Sequence, residues 1–282
     1  MKNYLHMSAH VLLLGLVAVS VGVAQEAGKE PQKPPAQPPA AARPSGPSVE
    51  EQAAMQQIMQ TSDPQQRLGL VEGYLAQFPE GVLRGQAYLA AADAYQRQGN
   101  FTKAAEYGEL ALEVSPRYFA AMIMVAEALS LGAVPTQPDY QEKLIKAEGY
   151  AQRALKILPD LLAATPRRPE VPEEQYKLRE AYMSSLAHGT LGFIYLRRMQ
   201  PAQAEKELQQ ATELNQLRPD PVDFQRLGFA QMRLQKYAEA EAAFQRCVEL
   251  GGPSRPDCQV RLERVQKILK DQQTPKENRP PG

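Results

Sequence analysis

The sequence predicts an all-α protein built as an array of paired helices. From Val49 onward, apolar residues recur with the period of an α-helix, and no run of alternating apolar and polar residues indicates a strand. Three stretches, at 88–116, 188–214 and 224–250, each contain two short amphipathic segments separated by a tight turn. Self-similarity of this kind indicates a repeat architecture, in which each unit buries its apolar face against the next.

The three stretches share a register of small and large residues. A small residue lies deep in the first segment of each stretch, at Ala92, Gly192 and Gly228. Two small residues, seven positions apart, lie in each second segment: Ala104 and Ala111, Ala204 and Ala211, Ala240 and Cys247. Large residues that fill the space between units accompany them: Tyr95, Leu191, Tyr195, Leu208, Leu227 and Phe244. Because two helices approach closely only where side chains are small, this register predicts close packing within each pair.

This register resembles that of the tetratricopeptide repeat, a helix–turn–helix unit of about 34 residues. The copy at 188–214 carries the family signature as His188-x-x-Leu191-Gly192-x-x-Tyr195, followed by Ala204, Leu208 and Ala211. The copy at 224–250 has Gln231 in place of the tyrosine, and the copy at 88–116 ends at Pro116. A degenerate fourth copy lies between 122 and 159, with about nine extra residues near 134–143. The resemblance covers roughly residues 85–252 and implies a right-handed solenoid of about four helix pairs with flanking helices.

The segments before the solenoid have different compositions. Residues 1–24 are typical of a signal peptide, because Lys2 precedes an uncharged apolar run, Val11–Val23, and small residues end it at Ala24. Residues 25–48 are rich in proline and alanine and predict a disordered linker.

Helices flank the repeats on both sides. Residues 49–84 predict N-terminal helices that form a partial repeat, in which Asp63 is an N-cap and Pro64 the first helical residue. Residues 85–271 form the solenoid and include a C-terminal capping helix at 256–270. The predicted apolar side of that helix consists of Val260, Leu262, Val265, Ile268 and Leu269. The tail 272–282 is predicted to be disordered.

One segment departs from the repeat. Pro159–Pro172 is rich in proline and predicts a loop, and a long helix from Glu173 to Met199 follows it. We interpret residues 160–172 as an insertion, which is either a plain connector or a contact for a partner.

The composition excludes several kinds of chemistry. The chain has 32 basic and 32 acidic residues, which argues against a nucleic-acid partner. No phosphate-binding loop, nucleophile elbow or metal-binding motif appears, so we expect no cofactor, no metal and no catalytic residues. His188 lies where the repeat has a large aromatic residue, which predicts a packing role.

Cys247 and Cys258 are the two cysteines of the chain. They lie on the last repeat and on the capping helix, where an oxidising compartment would permit a disulfide. Alternatively, Cys247 is a small buried residue at a position where alanine is usual.

The resemblance also implies a binding groove on the concave face, lined by the first helix of each pair. The register positions that line it in the family fall on Leu89, Arg97, Ile123, Phe193, Leu196, Arg197, Phe229, Met232 and Arg233. Phe193 and Phe229 share one register position, and the three arginines share another. An apolar strip edged by arginines suits a peptide or an amphipathic helix with some acidic character.

Together these features predict a non-enzymatic scaffold that is exported to the periplasm or secreted and binds a protein or peptide in its concave groove. No integral membrane segment is expected after signal cleavage. One alternative is a component of an envelope assembly complex, which the linker suits as a tether. Another is an enzyme or small-ligand-binding protein that uses the insertions at 134–143 and 160–172 as a lid.

Overall fold

A computed structural model of the chain describes residues 46–165, 168 and 170–273. These residues contain eleven α-helices and no β-strand, as the sequence predicts. The helices are α1 Val49–Gln60, α2 Pro64–Gln77, α3 Arg84–Arg97, α4 Phe101–Val114, α5 Phe119–Gly132, α6 Tyr140–Ala163, α7 Glu173–Arg197, α8 Pro201–Leu214, α9 Pro221–Arg233, α10 Tyr237–Leu250 and α11 Arg255–Gln273. The signal segment, the linker up to residue 45 and the tail from residue 274 lie outside the described residues, so the expectations for them stay predictions.

The helices stack as five consecutive pairs followed by the single helix α11. Each odd-numbered helix packs against its even-numbered partner and also contacts the next odd-numbered helix along the chain. The odd-numbered helices therefore form one continuous layer, the inner layer, and the even-numbered helices lie outside it. Across the described residues, none of the helices combines the length and the apolarity that a bilayer crossing needs.

Small residues set the distance between helices, as the repeat register predicts. A Cβ atom added at Gly192 would lie 2.4 Å from Leu208 Cγ, and one added at Gly228 would lie 2.8 Å from the Phe244 ring. Both large side chains are fully buried. Glycine at these positions lets Leu208 and Phe244 pack against the backbone of the preceding helix.

The turns within three pairs have one backbone geometry. Gly99, Met199 and Gln235 follow α3, α7 and α9 and have φ angles of 75°, 61° and 60°. In each turn the next N–H group donates to a carbonyl five residues earlier, as in Asn100 N–H to Tyr95 O at 2.9 Å. This is the Schellman termination of a helix, in which a residue in the left-handed region redirects the chain. Two of the three positions hold non-glycine residues and are therefore strained.

A buried carboxylate fixes the first helix pair. Glu51 of α1 is 4% exposed and accepts hydrogen bonds from Tyr74 Oη at 2.5 Å and from the Leu83 N–H at 2.8 Å. It thus connects α1, α2 and the connection to α3. The predicted cap at Asp63 is confirmed, because its side chain accepts from the Gln66 N–H at 2.8 Å, with Pro64 as the first helical residue.

The predicted loop at 159–172 starts too early. Helix α6 continues through Pro159 and ends at Ala163. Proline interrupts a helical hydrogen bond, but Leu158 is 3% exposed, and Leu161 and Leu162 pack against the same apolar cluster. Burial of these side chains outweighs the local preference of proline. The extra segment at 134–143 is likewise shorter than predicted, because α6 begins at Tyr140.

Helix α11 covers the end of the array, and the prediction of its apolar side is confirmed for Leu262, Val265 and Leu269 but wrong for Val260. Val260 is 65% exposed, whereas Cys258, Leu262 and Val265 are buried and Leu269 packs against them. These four residues follow a helical spacing of 4, 3 and 4, and Val260 lies on the far side. Cys258 is joined to Cys247 of α10 by a disulfide in this structure.

Candidate functional site

The inner layer is closed over the first half of the array. Leu89 of α3 is 2% exposed and Ile123 of α5 is fully buried, so neither lines an open groove as predicted. Both belong to one apolar cluster with Met183 and Ala187 of α7. Helix α7 packs against α5, and α5 packs against α3, so the positions that an isolated repeat would leave open are closed here.

The predicted arginine at the first repeat is part of an ion-pair network. Asp93 is 1% exposed and pairs with Arg97 at 2.8 Å and, across the pair boundary, with Arg67 of α2. Burial raises the pKa of the Asp93 carboxyl, although both guanidinium groups oppose that shift. Arg97 consequently serves the contact between α2 and α3 rather than an open rim.

The other two arginines of that register contact the backbone of neighbouring elements. Arg197 donates to the Ala133 carbonyl and lies 5.8 Å from the centre of the Tyr140 ring, which fixes the α5–α6 connection. Arg233 is exposed and donates to Leu196 O at 3.5 Å. The prediction that the three arginines edge one strip is therefore wrong for Arg97 and Arg197, because burial and the extra connection give each a different partner.

Phe193 of α7 and Phe229 of α9 remain partly exposed on the inner layer. The guanidinium of Arg226 lies 4.2 Å from the centre of the Phe193 ring, and that of Arg261 lies 3.9 Å from the centre of the Phe229 ring. Phe229 also contacts Phe244 edge-on, with 5.7 Å between ring centres. The sequence register did not reveal Arg226 and Arg261, since one lies outside the groove positions and the other lies on the capping helix.

We call the surface formed by α7, α9 and α11 the inner C-terminal face. It consists of the partly exposed Phe193, Leu196, Phe229, Met232 and Arg261, the exposed Arg233 and the buried Arg226. A hydrogen bond of 2.8 Å from Gln225 Nε2 to Asp257 Oδ2 joins α9 to α11 beside it. The Arg226 guanidinium also donates to the Gly189 carbonyl at 3.5 Å, and the Arg261 guanidinium pairs with Asp257 at 2.7 Å.

A buried carboxyl adjoins this face. Asp223 of α9 is 9% exposed, and burial raises its pKa to about 8, assisted by the negative charges of Asp220 and Glu127 and opposed by Arg226. Gly189 of α7 makes room for it, because an added Cβ there would lie 2.6 Å from Asp223 Oδ1. The carboxyl lies against α7 because position 189 has no side chain.

The structure gives no support to the lid of the alternative enzyme hypothesis. The connections before and after α6 are separated by a helix of 24 residues, about 36 Å long. They therefore lie at opposite ends of the layer. His188 Nδ1 forms a 2.7 Å hydrogen bond with Glu207, and no group of three or more potential metal ligands occurs among the described residues.

Two stretches of the chain, residues 85–118 and 224–250, match the family model of the tetratricopeptide repeat. A thermophilic tetratricopeptide repeat protein of Thermus thermophilus has a similar structure, with a TM-score of 0.55, 19% identity and coverage of 77% of this chain and 99% of that chain. PilF of Pseudomonas aeruginosa is also similar, with a TM-score of 0.56, 18% identity and coverage of 79% of this chain and 85% of that chain. No curated protein matches the sequence.

The fold thus defines a solenoid of paired helices. The family-model matches show that the chain contains tetratricopeptide repeats, and the predicted repeat family and fold class are confirmed.

Proposed function

We propose that the chain is an exported protein-interaction scaffold of the cell envelope that holds a peptide or helical segment of a partner on its inner C-terminal face. One observation supports this proposal above the others. Phe193 and Phe229 stay partly exposed on the inner layer, whereas Leu89 and Ile123 are buried in the apolar cluster that α3, α5 and α7 share. The part of the inner layer that is open to a partner is therefore the part that carries aromatic anchors.

The chemistry of the face favours a partner with apolar and acidic side chains. Aromatic anchors contribute most of the binding energy in many interfaces, and truncation of one commonly costs about 2 kcal/mol, or about thirtyfold in affinity. Arg233 and Arg261 supply donors that pair well with carboxylates. Part of this charge is offset by Asp257, which pairs with Arg261 at 2.7 Å.

Phe193 is the residue to test. Phe229 packs edge-on against the buried Phe244, so Phe229→Ala would also weaken the core. We expect Phe193→Ala to keep the wild-type melting temperature within about 2 °C and to lose partner binding by about thirtyfold. Val260→Ala is the matched control, because Val260 is an exposed apolar residue on another surface of α11.

Site-specific photo-crosslinking in intact cells tests this even though the partner has not been identified. A photoreactive residue at Met232 should give a discrete adduct that Phe193→Ala abolishes and Val260→Ala leaves unchanged. The same residue at Lys156, on the exposed side of the outer helix α6, should give none. An adduct at Lys156 alone, or an adduct at Met232 that survives Phe193→Ala, would refute binding on the inner C-terminal face.

Export is supported by the apolar run and small residues of segment 1–24. Mass spectrometry of the protein from its native source should show a mature N-terminus after Ala24. An intact Met1 in that protein would refute processing at this position.

A further inference from the structure

Met199 lies in an exposed turn, unlike the other methionines of the described residues. It follows α7, turns the chain with a φ of 61°, and is 69% exposed. Four of the others are at most 5% exposed, and two are partly buried: Met55, Met122, Met124 and Met183, then Met59 and Met232. Met199 is therefore the most exposed methionine in the part of the chain that the structure describes.

The sulfur of Met199 contacts a cation. Nη1 of Arg233, the last residue of α9, lies 2.8 Å from Met199 Sδ and 3.5 Å from Leu196 O. A thioether sulfur is a weak hydrogen-bond acceptor, so this contact holds the guanidinium only weakly. Arg233 is exposed and belongs to the inner C-terminal face, where its other N–H groups can pair with a carboxylate.

The exposed thioether is open to one kind of reaction. Hydroperoxides oxidise a methionine thioether to a sulfoxide. The sulfur forms an S–O bond, the O–O bond of hydrogen peroxide breaks, and the second oxygen leaves as water with both hydrogens. The sulfur loses two electrons and the peroxide gains them. Since a thioether sulfur has two lone pairs, the contact with Arg233 leaves one of them for the oxidant.

The product is a stronger acceptor than the thioether. The sulfoxide oxygen is strongly polar, and a guanidinium forms a charge-assisted hydrogen bond with such an oxygen. Oxidation of Met199 produces this oxygen beside Arg233 Nη1.

From this arrangement we infer that Met199 is an oxidant-sensitive modification site, whose sulfoxide binds Arg233 at the turn between α7 and α8 and withdraws it from the inner C-terminal face. The oxidation and the new hydrogen bond need no partner. Only their effect on partner binding rests on the function proposed above.

Peptide mass spectrometry of the full-length protein, treated with graded amounts of hydrogen peroxide, tests the oxidation. Met199 should be fully converted to the sulfoxide while Met232 and Met183 are still mostly unmodified. Met232 is the matched control, because it belongs to the same face but is partly buried. Oxidation of Met232 or Met183 as fast as that of Met199 would overturn the inference.

NMR of the isotope-labelled protein tests the new hydrogen bond. After oxidation the guanidinium N–H signals of Arg233 should shift and exchange more slowly with water. The signals of Arg246, an exposed arginine on the outer helix α10, should not change. Met199→Gln provides an amide oxygen in place of the sulfoxide and should slow the exchange at Arg233 without oxidant.

Met199→Leu removes the sulfur and leaves the other methionines in place. Peroxide should leave the Arg233 signals of this variant unchanged. Arg233 signals that do not respond to peroxide in wild type, or that respond equally in Met199→Leu, would overturn the inference. Both measurements use the protein alone, so this inference and the proposed partner binding can fail independently.

Discussion

The addition of one methyl group at different glycines should change stability in opposite directions. Gly192 lies where α7 crosses α8, and a Cβ there would lie 2.4 Å from Leu208 Cγ and 2.8 Å from Leu208 Cδ2. Gly149 lies on the exposed side of α6, and a Cβ there would meet no atom within 4 Å. The two positions are both interior to long helices, so they share the same intrinsic helix preference.

The magnitudes follow from two effects. Replacement of glycine by alanine in a helix interior stabilises it by about 1 kcal/mol. Overpacking of a well-packed core costs about 1–3 kcal/mol, and the short distance to a branched carbon of the fully buried Leu208 places Gly192→Ala near the upper limit. We therefore expect Gly149→Ala to raise the unfolding free energy by about 1 kcal/mol and Gly192→Ala to lower it by about 2 kcal/mol.

Thermal and urea unfolding followed by circular dichroism measure both changes. For a folded region of this size, about 1 kcal/mol corresponds to about 2–4 °C in melting temperature. The two variants should therefore differ by about 6–12 °C. The double variant Gly192→Ala, Leu208→Ala should be less unstable than the sum of its single changes, since the added methyl group then enters the space that Leu208 leaves. A Gly192→Ala protein as stable as wild type would refute the argument that this glycine sets the helix separation.

Three further predictions concern strain, ionisation and the disulfide. Gln235→Gly should stabilise the protein by about 0.5–1 kcal/mol, because Gln235 has a φ of 60° at the turn position where the first repeat has Gly99. Gly99→Ala should destabilise it for the same reason, and urea unfolding measures both changes. The pKa of Asp223 is about 8 when folded, against 3.8 as its ordinary value, so the folded state binds the extra proton and stability falls as pH rises from about 4 to 8. Melting experiments across that range should show the unfolding free energy of Asp223→Asn rising relative to that of wild type by up to about 1.4 kcal/mol per pH unit. The same pH dependence of stability in both proteins would contradict this. In protein from its native compartment, non-reducing peptide mapping should recover Cys247 bonded to Cys258, and two thiols open to alkylation would contradict the bond. The variant with serine at both positions should be about 3 kcal/mol less stable than wild type.

Much of the fold follows from local spacing in the sequence. Helices cross at small residues such as Gly192, Gly228 and the paired alanines. A close approach of two helices needs a small residue at the crossing point, and this requirement is visible in the local sequence. Helix starts such as Asp63 followed by Pro64 were predictable for the same reason, since a cap acts on backbone groups within one turn.

Local rules gave the wrong result where distant packing competes with them. Proline at 159 predicted the end of a helix, but Leu161 and Leu162 gain enough burial to continue α6 to Ala163. The predicted apolar side of α11 included Val260, which is exposed, and left out Cys258, which is buried. In both cases the deciding contacts are made with other helices, and the apolar pattern of a single helix does not reveal contacts between helices.

The sequence by itself determined that the chain is a repeat of paired helices and which face of each helix turns inward. Only the tertiary structure decided which inward residues stay open to a partner. Leu89 and Ile123 are buried in one cluster with residues of α7 that lie about sixty or more positions later in the chain. Phe193 and Phe229 are only partly covered, by Arg226 and Arg261. Accessibility depends on how far each helix extends over its neighbours, and that is a property of the stacked array rather than of any single repeat.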